Sequence, residues 1–308
     1  MTLREPRGPT RVRILLSTHN GQRFLYDQLA SVFDQQGVDV HLHIRDDGST
    51  DNSPAIVENY AASEQRLSFE WGDKLGAAQS YLKMLSDASD SDDFVALCDQ
   101  DDIWLEGKLA RALEWLEPIR GPAVYCSAVT VVDERLRPLG LHRTCRRGPA
   151  LPNALVQNIA TGCTIVLNAP AAAYFRQVPR HPVMHDAWIY AVVSAVGNVV
   201  YDPEPWVLYR QHDTNSIGLA ASPSAQWHRR LRQHLNHGRE RVHTRQAGEL
   251  LAVLGTELST ESRTIITDFV RSQNSFVGRL RYALIGPAFR QRRVDTIVYR
   301  FLCAVGRI

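Results

Sequence analysis

The N-terminal part of the chain has a hydrophobic pattern that predicts a strand, a helix and a second strand. Residues 11–17 form a short apolar run that ends at a polar cluster, residues 18–21. Residues 23–35 then place apolar side chains at helical spacing, and Gly37 suits the end of that helix. Residues 38–44 alternate strictly between apolar and polar, which is typical of a strand.

The same order of elements repeats further along the chain. The second strand runs into a polar loop at residues 46–51, and a helix opens at Ser53 with Pro54 in its first turn. The pattern continues with a strand, a helix and a compact apolar strand at residues 67–71, 77–85 and 94–98. Alternating strands and helices predict an α/β fold with a mainly parallel sheet flanked by helices.

Three polar loops follow strands of this predicted sheet, at residues 18–21, 46–51 and 99–102. In open sheets of this class, ligands bind beyond the carboxyl ends of the strands. We therefore expect the three loops to form one site.

The second half of the chain has a more mixed pattern. We expect strands near residues 124–132, 163–167 and 199–209, and a helix at residues 186–196. After residue 222 the composition becomes rich in Arg and His, with apolar residues at helical spacing. These features predict two domains, a sheet domain at residues 1–222 and a basic helical region at residues 223–308.

Composition is that of an ordinary folded protein. The chain has 308 residues, of which 44% are hydrophobic and 22% charged, and a mean hydropathy of -0.24. A net charge of only +2 argues against a nucleic-acid footprint over the whole surface. The charged N-terminus does not resemble a signal peptide, and apolar runs are too short to span a bilayer. Five widely spaced cysteines suggest reduced thiols, so we expect a cytoplasmic protein.

Arginines are concentrated in the basic helical region. Two interpretations remain open: a solvated helix face, or attraction of a basic amphipathic helix to anionic lipid headgroups at the inner face of the membrane. The arginines concerned are Arg229, Arg230, Arg232, Arg239, Arg241, Arg245, Arg279, Arg281, Arg290, Arg292 and Arg293.

Acidic residues dominate two of the three loops. Asp99, Asp101 and Asp102 follow a buried strand, and such a cluster repels itself unless a cation is near. Mg²⁺ or Mn²⁺, bound by carboxylate oxygens and shared with substrate phosphates, would relieve that repulsion. The alternative is a polar turn that caps the next helix. Asp46 and Asp47 in the second loop are open to the same two readings, a cap or a ligand contact to a pyrimidine base.

Several motifs together resemble the family-two inverting glycosyltransferases with the GT-A fold, which is Rossmann-like. Their order and spacing match that family, and the last three are similar to its rhamnosyltransferase-like branch. The motifs are Ser17-Thr18-His19-Asn20-Gly21, Asp46-Asp47-Gly48-Ser49-Thr50-Asp51, Asp99-Gln100-Asp101-Asp102-Ile103-Trp104, His185-Asp186-Ala187-Trp188 and Tyr209-Arg210-Gln211-His212-Asp213-Thr214-Asn215.

The resemblance implies a role for each matching residue. It assigns Asp101 and His212 to the metal and Asp186 to the general base that takes the proton of the acceptor hydroxyl. It assigns Thr18, Asn20, Asp46 or Asp47, Gly76 and Asp99 to the nucleotide or its sugar. Substrate contacts fall to Gln100, Asp102, Trp104, His185, Trp188 and Arg210, although tryptophans beside apolar helices are more often core residues. Where the family often has asparagine two residues before the glycine matching Gly76, this chain has Lys74.

The resulting expectation is a metal-dependent glycosyltransferase that moves a sugar from a nucleoside-diphosphate donor to a glycan or lipid-linked acceptor. The rhamnosyl branch implies dTDP-L-rhamnose as donor and surface-polysaccharide synthesis as the setting. Two alternatives use the same acidic loops: a nucleotidyltransferase or phosphatase, and a non-catalytic protein that binds nucleotide sugars. No phosphate-binding loop of the G-x-x-x-x-G-K-[ST] type supports the first alternative.

Overall fold

The computed structural model describes residues 9–88, 92–179, 184–212 and 241–308. Within these residues the strands join into one nine-stranded sheet in the order β3-β2-β1-β4-β8-β6-β9-β5, with β7 paired to β6. The strands are β1 (Thr10–Thr18), β2 (Val38–Asp46), β3 (Leu67–Trp71), β4 (Phe94–Cys98), β5 (Ile103–Trp104), β6 (Ala123–Val132), β7 (Pro138–His142), β8 (Val166–Asn168) and β9 (Asn198–Arg210).

The first four strands form the parallel part of the sheet. β1 lies between β2 and β4, and Leu16 pairs with Ile44 on one side and Cys98 on the other. Between these strands run α1 (Leu25–Phe33), α2 (Ser53–Ser63) and α3 (Ala77–Ser86). All these elements were predicted from the hydrophobic pattern, because each strand or helix buries one continuous apolar face.

The remaining strands pair mainly antiparallel. β8 joins β4 to β6, and both of its pairings are antiparallel, as are those of β5 with β9 and β6 with β7. The predicted α/β class is therefore confirmed, but the sheet is mixed rather than mainly parallel, because β8, β5 and β7 pair antiparallel with their neighbours. β5 and β7 were not predicted, since β5 has two residues and most of β7 is exposed.

Eight α-helices follow α3 among the described residues. They are α4 (Lys108–Leu116), α5 (Leu151–Ala154), α6 (Ala169–Ala172), α7 (His185–Val196), α8 (Val242–Leu254), α9 (Thr260–Ser272), α10 (Phe276–Ile285) and, last in the chain, α11 (Arg293–Ala304), of which α6 is a single turn. Residues 241–308 are thus mostly helical, as expected. In the described part of the chain, no helix is long and apolar enough to cross a membrane.

The chain divides into two compact units. The first comprises Met1–Arg143, Ala160–Val178 and Val200–Arg210, and the second Thr144–Ile159, Pro179–Val199 and Gln211–Ile308. Residues 144–159 and 179–199, which the sequence pattern placed in the sheet domain, are grouped here with the C-terminal helices. The predicted boundary after residue 222, and Arg229, Arg230, Arg232 and Arg239, lie outside the described residues.

Candidate active site

Three loops lie at the carboxyl ends of neighbouring strands in the first unit. Thr18, the last residue of β1, pairs with Asp46, the last residue of β2. On the other side of β1, β4 ends at Cys98, directly before the acidic loop. The predicted convergence of loops 18–21, 46–51 and 99–102 therefore follows from the strand order.

Gln100 joins the first loop to the acidic loop. Its Oε1 accepts hydrogen bonds from Thr18 Oγ1 at 2.7 Å and from the backbone N–H of His19 at 2.9 Å. Gly21 leaves room for this contact, because a Cβ atom there would lie 2.5 Å from Gln100 Oε1 and would displace that side chain. The amide of Gln100 therefore positions the two loops against each other.

Asn20 joins the first loop to the second. It has a left-handed backbone with a φ of 52°, which Asn adopts more readily than most residues. Its backbone N–H donates to Ser49 Oγ at 2.9 Å, and its Oδ1 accepts from the backbone N–H of Thr50 at 2.8 Å. The predicted nucleotide residues Thr18 and Asn20 thus lie in loops held by direct hydrogen bonds.

Asp46 shapes the turn of the second loop. Its Oδ1 accepts from the backbone N–H groups of Gly48 at 3.0 Å and Ser49 at 2.7 Å. Its Oδ2 is buried and has no hydrogen-bond partner among the described residues. A buried carboxylate oxygen in that state retains the capacity to accept a hydrogen bond from a ligand.

Asp47 holds the segment before α3. Its Oδ1 accepts from Leu75 N at 2.8 Å and Ser80 Oγ at 2.8 Å and pairs with the Arg45 guanidinium, while Oδ2 accepts from Gly76 N at 2.7 Å. Burial tends to raise the pKa of Asp47, but the hydrogen bonds from Leu75, Ser80, Arg45 and Gly76 outweigh it and hold the pKa below its usual range. Asp47 is therefore ionised at neutral pH.

Gly76 begins the helix that Asp47 anchors. It precedes α3 with φ 82° and ψ 154°, a conformation that side-chain-bearing residues avoid. Nearby, Lys74 Nζ lies 3.1 Å from His19 Nε2. The segment before α3 thus reaches the first loop as well as the second.

A cluster of titratable groups lies at the end of β4. Ligand atoms of Asp99, Asp102 and Cys163 all lie within 4.8 Å of one another. The single hydroxyl proton of Tyr81 is shared between the carbonyl oxygen of Cys98, at 2.7 Å, and Asp99 Oδ1, at 3.0 Å. Burial, with the added negative charge of Asp99, raises the pKa of Tyr81 well above its usual value, so Tyr81 remains a donor.

Asp102 is the buried member of the acidic loop. Burial raises its pKa well above the ordinary value, and the neighbouring charges of Asp101 and Asp99 raise it further. Its Oδ1 accepts from the backbone N–H of Arg210 at 3.0 Å. The charges of Asp101 and Asp99 thus act on Asp102 in the direction that the sequence predicts, and they add to the larger effect of burial.

Arg210 ties the end of β9 to the acidic loop. Its Nε donates to the carbonyl oxygen of Asp101 at 2.9 Å and its Nη1 to that of Glu134 at 2.8 Å. The guanidinium also lies over the Phe24 ring, 4.5 Å from the centroid. Arg210 was predicted to contact substrate, and in this structure it supports the loop that carries Asp101.

Lys108 is a buried cation beneath the acidic loop that sequence reasoning missed. The side chain is fully buried, and its Nζ lies 3.4 Å from the centroid of the Trp104 ring. Burial lowers the pKa of Lys108 to about 8, against the opposing attraction of Cys98, Cys163 and Asp102. One signal was available: Lys108 precedes Ala112 and Leu116 at helical spacing and so shares their buried face.

The acidic loop has donors that fit a divalent cation. Asp99 and Asp101 are partly exposed carboxylates at a strand end, and hard oxygen donors suit Mg²⁺ and Mn²⁺. A bound cation would lower the repulsion that raises the pKa of Asp102. Asp101, predicted as the ligand, lies outside the close group of Asp99, Asp102 and Cys163, and its role stays a prediction.

Trp104 and Trp188 are core side chains, with 3% and 1% of their surface exposed. Trp104 lies on β5 and donates its backbone N–H to Ser31 Oγ at 3.1 Å. Trp188 lies within α7 of the second unit. Trp104 and Trp188 were predicted either to contact substrate or to belong to the core, and their burial supports the second interpretation.

The second unit holds the predicted base. Asp186 lies in the first turn of α7, and its Oδ1 accepts from the backbone N–H of Ala187 at 2.7 Å. Burial raises the pKa of Asp186 to about 6, despite hydrogen bonds from Ala187 and Asn158 that lower it. A carboxylate with a pKa near the working pH is suited to take up a proton.

The other predicted residues of the second unit are His185 and His212. His185 is buried, and burial lowers its pKa to about 3, so the ring is neutral. His212 is partly exposed. The rest of its motif, Asp213, Thr214 and Asn215, lies outside the described residues.

Comparison with known proteins identifies the same kind of enzyme. The family model for glycosyl transferase family 2 matches residues 13–178. The dTDP-rhamnosyl transferase RfbG of Shigella flexneri is 24% identical, over 92% of this chain and 96% of that protein.

Two solved structures share the fold. Residues 1–349 of S. aureus TarS, solved with UDP-GlcNAc, align with a TM-score of 0.60 and 13% identity, over 96% of this chain and 88% of that TarS chain. The mannosyltransferase PcManGT of Pyrobaculum calidifontis, solved with GDP-Man and Mn²⁺, aligns with a TM-score of 0.50 and 17% identity, over 97% and 88%. These matches confirm the GT-A fold. With more than half of its length matched by the family model, the chain belongs to glycosyl transferase family 2.

Proposed function

We propose that this glycosyltransferase moves L-rhamnose from dTDP-L-rhamnose onto a glycan or lipid-linked acceptor, with inversion, during surface-polysaccharide synthesis. The observation that carries the proposal is the joining of the three strand-end loops by Gln100 and Asn20, which pre-forms a donor site. End-to-end similarity to a protein named as a dTDP-rhamnosyl transferase supports the choice of donor.

The base of the nucleotide is assigned to the second loop. A carboxylate there accepts the imide N–H of thymine. Asp46 has a buried oxygen with no hydrogen-bond partner among the described residues, and Asp47 is ionised and accepts one hydrogen bond at Oδ2. Thr18 and Asn20 are proposed to line the same pocket, and Gly76 to present its segment to the donor. We retain both aspartates as candidates.

The diphosphate is assigned to the acidic loop. Asp101 and Asp99 would hold Mn²⁺ or Mg²⁺ there, with His212 as a further ligand. When bound, that ion neutralises the charge that develops on the departing diphosphate. Gln100, Asp102, Trp104 and Arg210 are proposed to hold the loop in shape, since each is hydrogen-bonded or buried within the first unit.

The role of general base, which takes the proton of the acceptor hydroxyl, is assigned to Asp186. The acceptor hydroxyl attacks the anomeric carbon of rhamnose, the bond to the diphosphate oxygen breaks on the opposite face, and Asp186 takes the hydroxyl proton. A general base of this kind contributes roughly 10²–10⁴ in rate. His185 and Trp188 flank Asp186 on α7 and are proposed to fix its position.

Five free cysteines support a reducing compartment, and we propose that the enzyme works in the cytoplasm at the inner face of the membrane.

Donor hydrolysis tests the proposal without knowledge of the acceptor. Purified protein is incubated with Mn²⁺ and a panel of dTDP-, UDP- and GDP-sugars, and released nucleoside diphosphate is quantified. We expect release from dTDP-L-rhamnose, at least about a hundredfold slower in Asp101→Ala because electrostatic stabilisation of the leaving group is lost. Asp34→Ala is the matched control, since this exposed carboxylate lies at the far end of α1.

Other outcomes identify the alternatives. Release from a different nucleotide sugar would keep the glycosyltransferase and reject the rhamnosyl donor. Release of pyrophosphate or phosphate would indicate a nucleotidyltransferase or phosphatase. Nucleotide binding without release, with equal affinity in wild type and Asp101→Ala, would indicate a non-catalytic binding protein.

A further inference from the structure

Helix α11 exposes a continuous line of large apolar side chains. We call Val294, Ile297, Val298, Phe301 and Val305 the apolar stripe; their exposed fractions are 66%, 68%, 43%, 66% and 51%. Their spacing places them on one face of the helix. Exposed apolar surface of this extent is unusual for a protein surrounded by water and marks an interaction surface.

The stripe is a second apolar face, distinct from the one that α11 buries. Tyr299 and Cys303 point to the other side of the helix and are buried. That side packs against α10, where Arg300 Nη1 donates to the carbonyl of Leu284 at 3.3 Å and Cys303 Sγ to that of Arg279 at 3.8 Å. The fold of α11 therefore does not need the stripe to be covered by its own chain.

Helix α10 also exposes large apolar side chains. Its exposed apolar side chains are Phe276, Val277, Leu280, Leu284 and Ile285. The two contacts between Arg300 and Leu284 and between Cys303 and Arg279 show that α10 and α11 lie antiparallel, side by side. The α10–α11 hairpin thus exposes apolar residues along both helices.

The same hairpin is strongly positive. Between residues 276 and 308 the chain has seven arginines, no lysine and one acidic residue, Asp295. The arginines are Arg279, Arg281, Arg290, Arg292, Arg293, Arg300 and Arg307. A surface that combines apolar side chains with arginines matches the boundary between acyl chains and anionic headgroups.

A basic cleft adjoins the apolar stripe. It has a volume of about 350 Å³ and is lined by Arg146, Arg147, Gln291, Arg292, Arg293 and Val294, so its last residue is also the first of the stripe. Gln291 is buried and fixes the cleft: its Oε1 accepts from the backbone N–H groups of Arg146 at 2.9 Å and Arg147 at 2.7 Å. Positive charge and apolar surface are therefore continuous.

We propose that the α10–α11 hairpin docks on an anionic phospholipid bilayer, with the apolar stripe among the acyl chains and the arginines of the cleft at the phosphates. A second copy of this chain is a poorer occupant, because pairing two such surfaces brings like charges together. Docking here goes beyond sugar transfer and does not depend on which donor the enzyme uses.

Vesicle co-sedimentation of the full chain tests the proposal. Phosphatidylcholine vesicles are compared with vesicles that also contain phosphatidylglycerol, at low and high salt. We expect binding to the anionic vesicles that weakens as salt screens the arginines. Ile297→Gln with Phe301→Gln should reduce the partition coefficient at least about tenfold, since two exposed apolar side chains no longer enter the bilayer.

Each class of residue has a matched control. Arg292→Gln with Arg293→Gln should remove most of the preference for anionic vesicles, whereas Arg120→Gln with Arg135→Gln, the same charge change in the first unit, should leave it unchanged. Leu139→Gln with Leu141→Gln removes two exposed apolar residues on β7 and should also leave binding unchanged. Circular dichroism spectra and unfolding midpoints like those of wild type verify that the variants fold.

Three results would overturn the proposal. Wild-type protein that stays in the supernatant with both kinds of vesicle would do so, as would equal loss of binding in the stripe variant and in the β7 control. A dimer in light scattering that Ile297→Gln with Phe301→Gln converts to monomer, without vesicle binding by wild type, would assign the stripe to a second copy of the chain.

Discussion

Asp46 and Asp47 are neighbours in sequence and have different partners. Asp46 accepts backbone hydrogen bonds within its own loop and retains a buried oxygen with no partner among the described residues. Asp47 connects Arg45, Ser80 and the segment before α3. A substitution of Asp46 should therefore act mainly on donor binding, and a substitution of Asp47 mainly on the stability of the fold.

Asp47→Ala should destabilise the fold. Arg45 is 3% exposed, and removal of its partner leaves a buried charge with less compensation, which costs about 3 kcal/mol. Chemical denaturation of wild type and variant measures the difference in the free energy of unfolding. Asp87→Ala, which breaks the exposed pair with Lys83, is the control and should leave that free energy almost unchanged.

The difference in the free energy of unfolding between wild type and Asp47→Ala should depend on pH. The pKa of Asp47 is lower in the folded chain than in the unfolded one, so its stabilisation is complete above the unfolded pKa of about 4 and is lost as the pH falls through the folded pKa. The curves of wild type and Asp47→Ala should converge in acid. A gap that stays constant down to the lowest pH would contradict this assignment.

Asp186 should control the acidic limb of the pH–rate profile. Its pKa is raised to about 6 by burial, and only the deprotonated form accepts a proton. We expect kcat/KM to fall about tenfold per pH unit below that value. Asp186→Asn should abolish transfer while donor binding stays, and Glu261→Gln, in the first turn of α9, is the matched control.

Stability distinguishes this role from that of a helix cap. A carboxyl group whose pKa is raised in the folded state destabilises the fold as the pH rises from about 4 to 7. Asp186→Asn should therefore be at least as stable as wild type at pH 7, whereas loss of a cap would lower stability by about 1 kcal/mol. An unfolding free energy clearly below that of wild type would favour the cap.

At the scale of elements, the hydrophobic pattern was sufficient where an element buries a continuous apolar face. All five residues of β4 are buried, and α1 and α3 follow the helical period. The pattern was insufficient where contacts with distant segments determine the structure. β5 exists because β9 supplies its partner, and Lys108 is buried although lysine is usually exposed.

The candidate site was predictable in part for the same reason. The position of the three loops follows from strand order, so Thr18, Asn20 and Gln100 could be placed from sequence. Cys163 and Arg210 come from distant segments whose pairing no local pattern specifies. Their proximity to Asp102 is a product of the antiparallel half of the sheet.

The start of α3 requires glycine at position 76, and this requirement can be tested. Its φ of 82° with ψ 154° begins α3 in a conformation that costs other residues about 1–3 kcal/mol. No atom lies within 4 Å of a Cβ built at Gly76, so Gly76→Ala should report backbone strain alone. Thermal unfolding compares it with Gly121→Ala, which has equal space and no positive φ and should leave the midpoint unchanged.

Similar unfolding midpoints for the two alanine variants would show that Gly76 is not strained. If Gly76 also presents its segment to the donor, Gly76→Ala should weaken nucleotide binding, and Gly121→Ala should not.

At the scale of the whole molecule, the acidic loop is held by protein contacts independent of any ion. Thr18, Arg210 and the buried Lys108 come from β1, β9 and α4, and all three contact or face the loop. Positive charge at Lys108 offsets part of the repulsion among the carboxylates. Folding and metal binding should therefore be separable.

Chelation tests that separation. EDTA should abolish donor turnover and leave the far-ultraviolet circular dichroism spectrum unchanged, with an unfolding midpoint only slightly lower, and added Mn²⁺ should restore activity. A cooperative loss of structure on chelation would show instead that the ion is part of the fold, as in structural zinc sites.

The contact between Asp102 and Arg210 has a consequence for how the chain is made. The family match ends at residue 178, yet the buried Asp102 carboxyl accepts its backbone hydrogen bond from a residue much nearer the C-terminus. While the chain leaves the ribosome, the first four strands can pair before β9 has been synthesised. The acidic loop stays incomplete during that interval, so a nascent chain completes this loop only after β9 has been synthesised.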